Sequence, residues 1–205
     1  MYLPPQFNHP QHAASIMREH PFGSLVSTDT EGFPFVTHLP LKLVEEGGQP
    51  KTLLGHCARG NPHAGFLQAR PQALVTFMGP QAYMSPAVYP DLLRVPTWTY
   101  LAVHARVEAR MLDGEEAKDA LLKQLIGDHE PAYAAQWRGL PDTYTEGMLK
   151  GIVAFELTIL DLKTKVKINQ HRPESHAAMH AAYAQGGEQE QALALWMQRL
   201  GLVSP

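Results

Sequence analysis

The 205-residue chain carries a formal net charge of −3 with histidines neutral, 44% hydrophobic residues and 18% charged residues. That composition supplies a full core, excludes a chain disordered by charge, and lacks the positive excess of a protein that grips nucleic acid unaided. The sequence has no run of about 18 apolar residues to cross a membrane, its proline-rich, polar opening is not expected to be a signal peptide, and the lone Cys57 fits a reducing, cytoplasmic setting. With no linker-like stretch and no repeat, residues 1–205 are expected to form a single domain.

In chain order, Phe22–Asp29 and Phe33–Val44 are expected to form a hairpin across Thr30-Glu31-Gly32. Pro34 and Pro40 cannot donate to a ladder, which makes the second strand an edge strand or breaks it near Pro40. After the turn Glu45–Pro50, Thr52–Cys57 reads as a third strand. Asn61-Pro62 then opens a helix over His63–Ala69. Gln72–Met78 is apolar on both faces, as a central strand is.

Trp98–Met111 alternates most clearly. Leu101, Val103, Ala105, Val107 and Ala109 share one face, and Tyr100, His104, Arg106, Glu108 and Arg110 the other. Asp113 with Glu116 has capping-box spacing for a helix through Leu121 and Leu125, with Gly127 as its stop. Ile152–Leu162 is another strand, which Val166–Asn169 continues. Pro173–Gln185 and Gln189–Leu200 read as helices parted by Gly186-Gly187. Strands with short connections and few intervening helices predict a mainly β protein with flanking helices, closed or nearly closed into a barrel.

Chemistry-bearing residues concentrate in Gly55–Pro62 (GHCARGNP), Gly79–Tyr89 (GPQAYMSPAVY) and Val95–Tyr100 (VPTWTY). His56, Arg59 and Asn61 place donors at a strand end and a helix start, where an anion can also meet backbone amides. Ser85, Thr97 and Thr99 add hydroxyls, while Tyr83, Tyr89, Trp98 and Tyr100 add flat apolar surfaces. Donors beside aromatic walls suit a ligand with a phosphate tail and a planar ring. The same residues also suit a turn-rich stretch whose aromatics are core.

These three blocks, with MYLPPQF at the start and LKGIVAFEL and KINQHR later, resemble the PaiB family of FMN-binding negative transcriptional regulators. The resemblance runs from Met1 to about Arg172. It implies a split β-barrel of the FMN-binding, pyridoxamine-phosphate-oxidase-like type, a homodimer with its ligand site at the interface, and FMN as cofactor. Carried onto this sequence, it implies phosphate contacts from His56, Asn61 and Lys167, with Arg172 as a further cation. Thr37 and His38, on an early strand, are expected at the isoalloxazine edge; Ser85, Trp98 and Tyr100 complete the cofactor-binding set. Val88 stands where the family often has Trp, and Thr99 where it often has Asn.

Beyond the repressor role, the same ligand chemistry admits a flavin-dependent oxidoreductase acting on a small planar substrate, or a haem-binding protein. Lys163, Lys165 and Lys167 share one face of a strand and suit a cofactor phosphate, a DNA backbone, or an ordinary basic edge. His176 and His180 are four apart on a helix, but no third metal ligand is evident, and exposed histidines on an Ala-rich helix are the simpler expectation. Cys57 and His56 point to opposite faces of their strand, which makes Cys57 a core residue rather than a nucleophile.

Overall fold

The computed structural model describes residues 1–91 and 93–204. Its elements in chain order are α1 (Ala13–Glu19), β1 (Phe22–Thr28), β2 (Pro34–Pro40), β3 (Lys42–Glu46), β4 (Gln49–Ala58), α2 (His63–Ala69) and β5 (Gln72–Met84). They continue with β6 (Thr97–Leu112), α3 (Glu115–His129), α4 (Tyr133–Arg138), α5 (Asp142–Lys150), β7 (Ile152–Lys167), α6 (His176–Ala184) and α7 (Glu188–Arg199). The seven strands make one sheet in the order β2-β1-β5-β6-β7-β4-β3. β1 pairs antiparallel with β2 and β5, and β4 with β3 and β7. No helix among the described residues is long and apolar enough to cross a membrane.

Tertiary contacts gather into two compact units. The first comprises Met1–His20, Phe77–His104 and Lys163–Pro205; the second comprises Pro21–Thr76 and Ala105–Leu162. In the second, the β1–β2 turn is held by Asp29, whose Oδ1 accepts from the N–H groups of Glu31 (2.9 Å) and Phe33 (2.8 Å). Alternation in β1 and β6 buries Leu25, Ala105 and Val107. Leu121 and Leu125 of α3 pack on Ala154.

Gly55 of β4 faces Phe155 of β7 across the ladder. A Cβ there would lie 2.6 Å from Leu41 Cδ2 and 3.1 Å from both Leu39 Cδ1 and Phe155 Cε2. All three neighbours are buried, so a shift of the two leucine methyl ends is resisted by the packed core around them. Gly55→Ala is therefore expected to cost about 1–3 kcal/mol of stability through overpacking. A urea midpoint equal to that of the parent chain would overturn this.

In the first unit, the opening segment lies along β7. Asn8 bridges to Lys165, the His9 N–H donates to Thr164 O at 3.1 Å, and Phe7 is buried edge-on against His171. α6 and α7 form a helical hairpin, and the Gly187 N–H donates to Glu190 Oε2 at 2.8 Å. The core is built from Ile16, Met17, Phe77, Val103, Val166, Met179 and Met197.

Several expectations change. β5 runs on to Met84, absorbing half of the GPQAYMSPAVY block. Helix α3 begins at Glu115 behind Gly114, whose φ of 88° turns the chain, so Asp113 and Glu116 form no capping box; the helix also passes through Gly127 to His129. α4 and α5 lie where no element was expected, because their apolar positions are too sparse for a clear period. β7 is an interior strand rather than a basic edge.

Candidate functional site

The expected site residues fall in different units: Thr37, His38, His56 and Asn61 belong to the second, and Ser85, Trp98, Tyr100, Lys167 and Arg172 to the first.

In the second unit, Thr37 and Asn61 meet. Asn61 Nδ2 donates to Thr37 Oγ1 at 3.1 Å, and Asn61 Oδ1 accepts from the His63 N–H at 3.0 Å, opening α2. Thr37 Oγ1 also lies 2.8 Å from His63 Nδ1. His63 is 1% exposed, sits edge-on to Phe35 at 5.2 Å, and its Nε2 has no partner among the described residues. His38 takes the opposite face of β2, is exposed, and pairs with Ser24 Oγ at 2.9 Å. Strand alternation thus separates Thr37 from His38. His56 is half-buried, its Nδ1 has no partner among the described residues, and Cys57 beside it is a core residue. His63 had no signal beyond its place after Asn-Pro.

Burial is the leading cause that lowers the pKa of His12, His20, His56, His63, His104 and His171 below 6.5. Between each folded-state value and the unfolded value the unfolded chain binds more protons, so stability is full above pH 6.5 and falls as pH drops below it. The urea midpoint is expected to be lower at about pH 5.5 than at about pH 7.5, before ordinary carboxylates titrate. Equal midpoints would contradict this.

In the first unit, Lys167 Nζ donates to Thr97 Oγ1 at 2.6 Å and lies 5.9 Å from the Tyr100 ring. Among the described residues no carboxylate is within ion-pair range of it. Burial lowers its pKa; Tyr100 opposes that shift, and the ammonium of Lys165 reinforces it. A cleft of about 410 Å³ is lined by Lys167, Arg172, Arg94 and His171 together with Phe7 and Tyr89. The Arg94 guanidinium lies over the Tyr89 ring at 4.9 Å and pairs with Asp91 (2.9 Å) and Glu174 (3.4 Å). Arg172 is exposed and lies 4.0 Å from Glu174.

Other expected residues have structural partners. Ser85 Oγ accepts from the Ala87 N–H at 3.2 Å, starting the turn Pro86–Val88. Trp98 is 55% exposed and meets Tyr83 edge-on at 6.3 Å. Thr99 is buried, donates to Ala82 O at 3.2 Å and lies 2.7 Å from Tyr183 Oη, so it is a core hydroxyl. Lys163, Lys165 and Lys167 do not form one exposed strip: Lys165 is 8% exposed, under the rings of Tyr2, Phe7 and Tyr100. His176 Nε2 bonds Asn169 O at 3.1 Å and His180 meets Gln198, so each already has its own partner. Arg94, Asn169, His171 and Phe7 join the cleft without having been expected there, although the last three lie in the MYLPPQF and KINQHR blocks. The second unit has its own cleft of about 370 Å³ at α3 and α5, where Glu115, Glu116, Asp119 and Asp142 repel anions.

Residues 1–161 match the family described as "Putative FMN-binding domain". The chain is 34% identical over 178 residues to the protease synthase and sporulation protein PAI 2 of Bacillus subtilis (strain 168), covering 85% of this chain and 84% of that relative. In fold it is similar to the flavocytochrome Anf3 of Azotobacter vinelandii, with a TM-score of 0.59 at 15% identity over 78% of this chain and 68% of the other. It is equally similar to the FAD and heme binding protein of Mycobacterium smegmatis, with a TM-score of 0.59 at 15% identity over 78% of this chain and 72% of the other.

Proposed function

The chain belongs to the PaiB family of FMN-binding-domain proteins, and we propose that it binds FMN in the cleft of the first unit. The observation that carries this reading is Lys167, an ammonium lining a cleft with no carboxylate of the described residues in ion-pair range. A partly desolvated cation without a counter-ion costs free energy that a ligand anion offsets. Arg172 and His171 add donors to the same cleft and Tyr89 adds a ring surface, while Tyr100, outside the lining, lies 5.9 Å from the Lys167 ammonium. This donor set fits a phosphate monoester attached to a planar ring. The bound flavin would supply the redox chemistry; Lys167 and Arg172 would hold its phosphate, and the rings would orient it. Thr99, where the family often has Asn, points into the core, so its identity does not weaken this reading.

The test is a titration of the purified chain with FMN. Saturable quenching of flavin fluorescence at one FMN per chain is expected. Neither quenching nor a rise in Tm at millimolar FMN would remove the proposal.

We read the sheet as a split β-barrel forming one domain, because β5, β6 and β7 each contribute residues to both compact units. The exposed, edge-on pair Tyr83 and Trp98 is assigned to the face that a second copy covers in a homodimer. The proposed role in negative transcriptional control is ligand-gated rather than a bare electrostatic grip on DNA, given the net charge of −3 and the burial of Lys165. FMN is expected to change how the chain retards its own promoter DNA; identical retardation with and without FMN would overturn the gating.

A further inference from the structure

Among the described residues, Asn169 is the one non-glycine with positive φ, at 64°. It follows the end of β7, is 5% exposed, and lines the cleft. A left-handed conformation is costly for residues with a Cβ, though least so for Asn, whose short polar side chain can bond locally. Here the carboxamide and the carbonyl are both engaged, and the side-chain Oδ1 accepts from Tyr89 Oη at 3.2 Å. Nδ2 donates to Ser175 Oγ at 2.7 Å and lies 3.0 Å from Tyr89 Oη. The carbonyl accepts from the Arg172 N–H at 3.0 Å and lies 3.1 Å from His176 Nε2.

The turn has a consequence for the cleft. Were β7 to continue extended, Lys167, Asn169 and His171 would share one face and Arg172 would take the other. Instead Lys167, His171 and Arg172 all line one cleft. β7 ends at Lys167, the chain bends at Ile168, and Asn169 opens the turn that the Arg172 N–H closes on its carbonyl. Its carboxamide also ties down Tyr89, which carries the Arg94 guanidinium over its ring. One side chain thus joins two segments that are 80 residues apart in sequence.

We propose that Asn169 is the positioning residue of the anion end of this cleft. Its left-handed turn brings Arg172 to the side of Lys167, and its carboxamide fixes the aromatic wall at Tyr89. The inference rests on the flavin-phosphate reading and names the residue that assembles that site. Asn169 itself need not touch the ligand.

The test compares Asn169→Ala, which resists the left-handed turn, with Asn169→Gly, which allows it while lacking the side chain. Titrations use FMN and, separately, inorganic phosphate, with urea unfolding measured in parallel. Asn169→Ala is expected to bind FMN and phosphate about tenfold more weakly, the loss of roughly one charge-assisted hydrogen bond. Asn169→Gly is expected to regain most of the phosphate affinity while remaining less stable than the parent. A merely structural role would make affinity follow stability in both variants. A folded Asn169→Ala with parental affinity for both probes overturns the proposal, as does an Asn169→Gly no better than Asn169→Ala toward phosphate. A parent chain that binds phosphate but ignores FMN removes the flavin reading and leaves the two variants to decide the positioning role on phosphate. A parent chain that binds neither overturns both.

Discussion

Lys167→Met is expected to weaken FMN binding by roughly thirtyfold, which corresponds to about 2 kcal/mol for a lost hydrogen bond between ionised partners. Met keeps roughly the length of the side chain while removing the ammonium, and with it the hydrogen bond to Thr97. Lys167 is the strongest candidate for this effect because, among the described residues, its one side-chain hydrogen-bond partner is the neutral hydroxyl of Thr97. Arg172 is more exposed and already faces Glu174, so Arg172→Gln should cost less. Affinity should also fall on alkalinisation at a pH below 10.5, since burial lowers the Lys167 pKa and the contact is lost as the ammonium deprotonates. Calorimetric titration of both variants against the parent checks this. Parental affinity in Lys167→Met would move the phosphate site elsewhere.

Phe155→Ala is expected to have the largest effect on stability, about 3–5 kcal/mol. The ring is fully buried in β7, and its Cε2 lies 3.1 Å from where a Cβ on Gly55 would stand. Removing it leaves a cavity that the neighbouring strands cannot close, because the β4–β7 ladder runs from Thr52↔Thr158 to Ala58↔Ile152 and holds the backbone. Against a typical total of about 5–15 kcal/mol the loss is severe. The two substitutions should also couple. In a Phe155→Ala background, Gly55→Ala should lose part of its own cost, since the vacated space removes the Phe155 contact and gives the Leu41 side chain, whose Cδ2 is the nearest atom at 2.6 Å, room to move aside. Urea unfolding of the two single variants and the double variant tests this; strict additivity would mean the two positions do not share that space.

Local pattern carried much of this fold. The helix His63–Ala69 was legible because Asn and Pro precede it and Pro71 follows, and the structure has those bounds. The alternation of Leu101, Val103, Ala105 and Val107 marked β6, and all four are buried. The break at Pro40 was legible because a proline cannot extend a ladder, and β2 ends there. The helices α4 and α5 were not legible. They are short and polar, and their places depend on contacts such as Trp137 Nε1 donating to Asp119 Oδ1 at 2.9 Å.

The site divides the same way. By itself the sequence determined which residue types were available: a lysine-bearing strand, an arginine after it, and aromatics in the GPQAYMSPAVY and VPTWTY blocks. Only the tertiary structure decided which of them meet. Thr99 went into the core because Tyr183, 84 residues later, receives it. Lys165 was buried under three rings while Lys167, two residues on, reached the cleft. Thr37 and His38 were parted by the pleat, and Arg172, past the left-handed residue Asn169, lines the same cleft as Lys167. The physical reason is range. Periodicity and capping act over one or two turns of chain, whereas the direction of a polar side chain is set by partners from distant segments and by single dihedral reversals that leave no periodic trace.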